Sequence, residues 1–476
     1  MSDTLLFAPE LVLLIFGLLL FLCPVFDLSY RLTWKLALVG GALALGAGLW
    51  TLNMAGEPFA PGIYRVDFFS QFIKAILALG YLLTIAISHR PQTLDRASWL
   101  EYPMFLLLAT LGMMMMASAT EMLTLYIAME LAAYPLYIAV ALHRNPQIGG
   151  ESSTKYMLQG MVASAISLYG MSFLFGIFAT TYFSGISAGL PAAASQPLFW
   201  IGLLLLLAGF LFKLAVFPFH FWTPDTYQTA PHQVVTYLAT VSKVAAIAIL
   251  CRLVALASNG EWSADSISSV LMWMSVAAMS LGNFAALVQK DLKRLLGYSA
   301  VAHAGYILVA IQTGTLLGFS AALFYAPAYL AMSFICFLVV CEVGADNDLV
   351  TIESVAGLHR RSPFLAATLL VGLFALIGLP PTVGFIGKWF LFSAALEQNQ
   401  FLLVLVAAIN AVVGLYYYLL VLRQAYLAEP TTDAPISSAP GVKIAALTGA
   451  VLVLIMGTFP GRYWDMATQA ARALLD

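Results

Sequence analysis

The chain has 476 residues, of which 62% are hydrophobic and 9% charged, and its formal net charge is −2. Typical soluble domains are about 25% charged, so this composition excludes a soluble globular fold and favours a protein surrounded by lipid. The near-neutral charge also excludes the basic surface that nucleic-acid binding requires. We therefore expect the lipid bilayer, and no nucleic acid, among the partners of this chain.

About fourteen apolar runs follow one another, each long enough to cross a hydrocarbon core of roughly 30 Å as a helix. The run 362–396 is too long for a single span and contains Pro380 and Pro381, which predicts one broken helix. The sequence thus predicts an all-α integral membrane protein. The predicted spans are 5–24, 32–52, 68–88, 100–117, 120–142, 154–179, 198–222, 232–254, 266–288, 293–312, 316–341, 362–396, 402–426 and 441–459.

The placement of lysine and arginine predicts the orientation of the chain in the membrane. With fourteen spans, one side collects 13 of these residues and the other collects five, among them Lys74 and Arg252. Because cytoplasmic loops carry the excess of positive charge, both termini are predicted on the non-cytoplasmic side. We expect a multi-pass protein of the bacterial inner (cell) membrane, in preference to an energy-converting organelle membrane.

No cofactor or metal is predicted in this chain. Glycine-rich nucleotide motifs and cysteine clusters are missing from the sequence. Asp225, His220 and His232 lie around a predicted break without the i, i+4 spacing that favours a metal ligand pair. The four cysteines have apolar neighbours and are interpreted as small buried hydrophobic residues: Cys23, Cys251, Cys336 and Cys341.

Five ionisable residues fall well inside the predicted spans: Glu130, Lys213, Lys243, His303 and Lys388. Each central charge costs about 2.5–3.5 kcal/mol on insertion scales. A static Glu130–Lys213 ion pair locking two helices would explain two of them, but it leaves Lys243 and Lys388 without a carboxylate. Since buried ammonium groups give up protons more readily than exposed ones, we predict a proton relay.

Prolines lie within one or two helical turns of these charges, at Pro135, Pro218 and Pro380–Pro381. A proline leaves the carbonyl four residues earlier without its helical hydrogen bond. Interrupted helices at membrane depth are where transporters place ion sites. The carbonyls predicted to be free are those of Leu131, Leu214, Leu376 and Ile377.

Two further features favour proton transfer. Thr236, Thr240 and Lys243 are spaced i, i+4 and i+7 and are predicted to share one helix face. His303 belongs to the residue type that titrates nearest neutral pH. A hydrogen-bonded core histidine is the alternative interpretation of His303.

Several motifs resemble the antiporter-like subunits of respiratory complex I, and together they cover most of residues 100–425. They are YIAMELAAYPLY, FKLAVFPFHFWTPDTYQTAP, TYLATVSKVA, KRLLGYSAVAHAGYIL and GLPPTVGFIGKWFLF. The wording WTPDTYQTAP, and lysines at 243 and 388, are similar to the N type of these subunits. The chain departs from the family pattern, a glycine before Ala-Pro and Thr-Pro after it, at Thr229, His232 and Gln233.

The resemblance implies a fold of two inverted five-helix repeats, each with one broken helix. The implied domains are an N-terminal three-helix segment (1–99), two antiporter-like repeats (100–260 and 261–430) and a C-terminal helix and tail (431–476). It also implies residue roles: Glu130 and Lys213 as a modulating pair, Lys243 as the central relay lysine, His303 as a bridging histidine and Lys388 as the distal lysine.

By the same resemblance, the chain is expected to be a membrane-arm subunit of a proton-translocating NADH:quinone oxidoreductase, without redox chemistry of its own. Its neighbours would be M-like and K-like subunits. NADH or another electron donor, flavin, iron–sulfur clusters and quinone would bind to partner subunits. The sequence leaves open a stand-alone cation/proton antiporter subunit, a structural subunit that no longer conducts, and a nutrient transporter.

Overall fold

The computed structural model of the chain describes residues 3–54, 56–59, 62–193, 195–258, 265–345, 348–430 and 434–475. Nineteen α-helices are found in these residues. They are α1 (Ala8–Val25), α2 (Tyr30–Trp50), α3 (Phe68–Ile87), α4 (Tyr102–Ser118), α5 (Met122–Ala141), α6 (Pro146–Phe178), α7 (Phe183–Ala193), α8 (Pro197–Leu214), α9 (Trp222–Thr229), α10 (His232–Ser258), α11 (Asp265–Leu287), α12 (Leu292–Ile311), α13 (Leu316–Val343), α14 (Leu358–Arg361), α15 (Pro363–Ile377), α16 (Val383–Glu397), α17 (Phe401–Leu427), α18 (Pro440–Thr458) and α19 (Gly461–Leu475).

The predicted spans are confirmed as helices. Twelve are long and apolar enough to cross a membrane, and two shorter apolar helices, α4 and α15, bring the described spans to the fourteen predicted. The run 362–396 is indeed interrupted, since α15 ends at Ile377 and α16 begins at Val383. The all-α membrane fold class is therefore confirmed.

Two groups of five spans have the same layout, α4 to α10 and α11 to α17. The fourth span is broken in both groups, between α8 and α9 and between α15 and α16. Five spans carry the chain from one side of the membrane to the other, so the second group starts on the side opposite to the start of the first. The two groups therefore have inverted orientations in the membrane. The predicted domain boundaries after residues 260 and 430 adjoin positions that lie outside the described residues.

Helix α10 lies at the centre of the molecule. It packs against α13, α3, α8 and α4, and its apolar length is buried throughout. By contrast, α1 and α2 turn many large apolar side chains outward, as lipid-facing helices do. This arrangement places Lys243, near the middle of α10, far from both the lipid and the helix ends.

The structure adds elements that the sequence did not predict. A short antiparallel hairpin, β1 (Gly56–Phe59) and β2 (Tyr64–Val66), precedes α3. The predicted C-terminal tail is a helix, α19, which packs on α13. Its Trp464 ring lies 4.0 Å from the Phe390 ring of α16.

Two buried ion pairs correct the predicted charge placement. Lys74, counted from the sequence with the basic residues of one membrane side, lies fully buried in α3, and its Nζ is 2.6 Å from the Glu10 carboxylate of α1. Arg252, counted with the same side, lies buried in α10 and donates to Asp67 at 3.1 Å. Removing these two, and the buried Lys293, leaves twelve basic residues against three, so the charge bias persists.

We expect Glu10→Gln to destabilise the folded chain by about 3–5 kcal/mol, because it leaves the Lys74 ammonium buried without its counter-charge. The double change Glu10→Gln with Lys74→Met should recover most of this loss. Thermal unfolding in detergent measures both. Glu151→Gln is the matched control, since its exposed pair with Lys155 has the same 2.6 Å distance and should contribute nothing measurable.

Candidate functional site

Lys243 is held at the first helix break. Its side chain is 1% exposed, and its Nζ donates a hydrogen bond of 2.8 Å to the carbonyl of Leu214, the last residue of α8. The Trp222 ring lies beneath it at 5.2 Å. Ala215, in the left-handed region with φ of 62°, turns the chain away and leaves the Leu214 carbonyl open to the lysine.

Lys388 is held in the same way at the second break. Its Nζ donates to the carbonyls of Leu376 and Ile377, both at 2.9 Å, at the end of α15. Gly378, with φ of 88°, ends that helix, and the Tyr306 ring lies 5.1 Å from the ammonium.

Both lysines thus bind the carboxyl ends of half-helices. The last carbonyls of a helix have no partner within it and carry the negative end of the helix dipole, so they attract a cation. Three of the four carbonyls that the prolines were predicted to free are those that accept from Lys243 and Lys388: Leu214, Leu376 and Ile377. That prediction is confirmed at both breaks.

Glu130 and Lys213 are near one another but are not in contact. The Glu130 charge acts on Lys213, yet among the described residues no ion pair within 4.0 Å joins the two side chains. One carboxylate oxygen of Glu130, Oε1, is buried without a hydrogen-bond partner. The static ion pair considered from the sequence is therefore not formed in this structure.

His303 lies between two tyrosine hydroxyls. Its Nδ1 is 2.8 Å from the Tyr325 hydroxyl and its Nε2 is 3.3 Å from that of Tyr418. The Tyr306 ring touches both the imidazole, at 5.6 Å between centroids, and the Lys388 ammonium. Tyr306 therefore links the bridging histidine and the distal lysine of the predicted relay.

A buried polar network extends from this histidine through α12, α11 and α17, and sequence reasoning missed it. Tyr418 also bonds Ser299. Nearby, Tyr417 donates to Asn283 at 3.0 Å, and Asn283 donates to Asn410 at 3.2 Å. The sequence did contain a signal for this network, because Asn283 and Asn410 fall in apolar spans, where a buried amide without a hydrogen-bond partner costs free energy.

The residues weighed for metal binding have other partners. Asp225 accepts from Arg294 at 2.6 Å, and His232 contacts Lys293 and Gly344. No group of three potential metal ligands was found among the described residues. The four cysteines are buried and unpaired with each other, as small hydrophobic residues are.

A fourteen-span bundle with two broken helices and a buried lysine at each break defines a class of membrane protein. The chain belongs to the family described as NADH:quinone oxidoreductase/Mrp antiporter, TM, which it matches over residues 119–414. It is 44% identical, over 98% of its length and 99% of the relative's, to a protein of Syntrophobacter fumaroxidans named NADH-quinone oxidoreductase subunit N 2. The family resemblance seen in the motifs is confirmed.

Solved structures agree with the assignment of the chain to this family. A chain of respiratory complex I from Thermus thermophilus superposes with a TM-score of 0.84 at 33% identity, covering 96% of this chain and 98% of that one. A chain of the Mrp complex from Dietzia superposes with a TM-score of 0.88 at 21% identity, covering 100% and 98%. The second likeness shows the common fold alone.

Proposed function

We propose that this chain is the N-type membrane-arm subunit of a proton-translocating NADH:quinone oxidoreductase and conducts protons through Glu130, Lys213, Lys243, His303 and Lys388. The observation that carries the proposal is that the buried ammonium groups of Lys243 and Lys388 donate to backbone carbonyls at the two breaks and, among the described residues, form no ion pair with a carboxylate. A lysine whose partners are dipoles can lose its proton without leaving an unpaired anion behind. The identity of the chain over 98% of its length to an N-named relative supports the assignment.

The proposed sequence of transfers begins at the open Glu130–Lys213 pair. Quinone reduction elsewhere in the complex changes the electrostatic field along the membrane arm and moves Glu130 toward or away from Lys213. When the carboxylate is distant, the Lys213 proton passes through water to Lys243, then to His303 and Lys388. Tyr306, in contact with both of the last two groups, keeps them adjacent.

The electrostatic attraction between Glu130 and Lys213 is comparable to the free energy needed to move one proton against the membrane potential. Moving one charge against the membrane potential costs about 2.3 kcal/mol per 100 mV. Two unit charges brought to 4 Å at an effective dielectric constant of 20 attract by about 4 kcal/mol. Closing and opening one Glu130–Lys213 pair therefore changes enough free energy to drive one proton step.

A mutational prediction concerns the Glu130–Lys213 pair. Lys213→Ala and Glu130→Ala should each abolish most proton pumping by the assembled complex in vesicles, because either change removes the switch that displaces the proton. Pumping is read from the quenching of a pH-sensitive dye during quinone reduction. Undiminished pumping by an assembled complex would refute the role of the pair.

The partners and placement follow from the same proposal. M-like and K-like subunits flank the chain in the membrane arm, and the flavin, the iron–sulfur clusters and the quinone belong to other subunits. Both termini face the non-cytoplasmic side of a bacterial cell membrane, supported by the twelve-to-three bias of basic residues. A stand-alone cation/proton antiporter shares the fold, and sodium-dependent transport without a quinone-reducing partner would favour it.

A further inference from the structure

A polar cavity opens at the end of the molecule where α10 begins. Its volume is about 770 Å³, and its lining includes His89, Thr93, His232, Gln233 and Glu342. These residues come from the connectors and helix ends that carry the excess of lysine and arginine. The cavity therefore lies on the cytoplasmic side in the proposed orientation.

His232, at the inner wall of this cavity, touches a second buried base. Its Nδ1 is 3.2 Å from the Nζ of Lys293, and its Nε2 is 3.0 Å from the Gly344 carbonyl. The Lys293 ammonium also donates to the Ala230 carbonyl at 3.2 Å. His232 is 1% exposed and Lys293 is fully buried.

These contacts fix how many protons the two groups hold. A carbonyl only accepts, so the Nε2 of His232 carries a hydrogen that it donates to Gly344. An ammonium only donates, so the Nδ1 is bare whenever Lys293 is charged. If Nδ1 takes a proton, the Lys293 amine must have lost one. One proton is thus shared between two nitrogen atoms 3.2 Å apart.

The described carboxylates act on Lys293 from a distance and do not contact it. Among the described residues, no carboxylate lies within 4.0 Å of Lys293. Asp348 is bound by Arg144 at 2.8 Å and lies 3.6 Å from His143. The titratable and charged groups that face the pair or line the cavity are His89, Arg90, His143, Arg144, Asp291, Cys341, Glu342, Asp348 and Arg361.

A polar helix face leads from this pair to the central lysine. Thr236 donates to the His232 carbonyl at 2.9 Å, and Thr240 donates to the Thr236 carbonyl at 2.6 Å. His232, Thr236, Thr240 and Lys243 are spaced i, i+4, i+8 and i+11 and so share one face of α10. At 1.5 Å per residue the face is about 16 Å long.

We propose that His232 and Lys293 form the site at which this chain takes up a proton from the cytoplasmic cavity, and that the proton then moves through water beside the threonine face and replaces the proton that Lys243 has passed on. The inference rests on the proposed function and adds a loading site to the five predicted relay residues. A proton arriving on the pair is held as one cation by two bases, and the next arrival releases the first inward. His232 stands where the family pattern has threonine.

The test uses the intact complex carrying His232→Thr, which restores the residue of the family pattern and should assemble. Without the Nδ1 acceptor, the Lys293 ammonium loses a hydrogen bond and holds its proton less well. The loading site therefore loses its proton at a lower pH. In a plot of the rate of coupled quinone reduction against pH, the decline on the alkaline side should begin about one pH unit lower than in the unmodified complex. At pH 6 the rate should stay within about twofold of the unmodified complex, since loading is then saturated.

His359→Gln is the matched control, because His359 lies on the same side of the molecule and binds the Ala425 carbonyl, outside the cavity. Its pH profile should equal that of the unmodified complex. Superimposable profiles for His232→Thr and the unmodified complex would overturn the proposal, as would an equal shift in the control.

Access to the cavity is tested without relying on conduction. In a Cys341→Ala background, Gln233→Cys should react with a membrane-impermeant maleimide in inside-out vesicles and not in right-side-out vesicles. Cys251, fully buried on the same helix, should stay unmodified and serves as the internal reference. Failure to label position 233 from the cytoplasmic face would contradict the loading site, even if Lys213 and Glu130 variants stop pumping. Conversely, labelling together with normal pumping by those variants would contradict the proposed function alone.

Discussion

Replacing Lys243 by methionine is expected to lower proton pumping by about 10²-fold or more, the usual contribution of a positioned proton-transfer group. Methionine keeps much of the apolar stem and the volume of the side chain. It removes the ammonium group that donates to the Leu214 carbonyl at the first break. Because coupled quinone reduction requires the proton steps, its rate should fall together with pumping.

The control for this change is Lys155→Met, at an exposed lysine paired with Glu151 on the surface of α6. It alters charge and side-chain length identically and should leave pumping unchanged. Both rates are measured in proteoliposomes, with the content of assembled complex determined on native gels. A Lys243→Met complex that assembles and pumps at half the normal rate or better would remove Lys243 from the relay.

The second large effect is expected from Gly384→Ala, at the second break. A Cβ at this position would lie 1.7 Å from the carbonyl oxygen of Ala375, so α15 and α16 must move apart. Overpacking of this kind typically costs about 1–3 kcal/mol, and occasionally more. The displacement would also withdraw the Leu376 and Ile377 carbonyls from Lys388, so pumping should fall with the melting temperature.

Gly176→Ala, on α6, is the control, because nothing lies within 4 Å of its added Cβ. Alanine is the better helix former there, and the variant should be at least as stable as the unmodified protein. Thermal unfolding in detergent and pumping in vesicles measure the two effects separately. Normal stability and pumping in Gly384→Ala would show that the breaks tolerate the separation of their half-helices.

The breaks could be predicted because their cause is local. Pro218, Pro380 and Pro381 act on carbonyls four residues away by a covalent rule, and the carbonyls of Leu214, Leu376 and Ile377 proved to be the ones that accept. The spans could be predicted for a similar reason. Hydrocarbon thickness sets a length, and the apolar composition of each run shows whether that length is met.

Contacts between distant helices could not be predicted in this way. The buried ion pair of Lys74 could not be predicted because the sequence does not show that Glu10, 64 residues earlier, lies beside it. Likewise, Lys293 belongs to a recognised motif, but its contact with His232 depends on how α12 packs near the start of α10. The separation of Glu130 from Lys213 could not be predicted either, because the distance between side chains on two helices is set by packing and not by sequence spacing.

The carbonyls that hold Lys243 and Lys388 belong to the main chain, and this limits how the protein can evolve. No side-chain substitution deletes a carbonyl, so the attraction for a cation at each break survives almost any mutation that preserves the fold. Selection can alter proton binding by these lysines only through the surrounding side chains. These are Glu130, the tyrosines around His303, and the two bases His232 and Lys293 at the cytoplasmic cavity. The main-chain carbonyls supply a constant attraction for a cation at each break, and the surrounding side chains determine when Lys243 and Lys388 carry a proton.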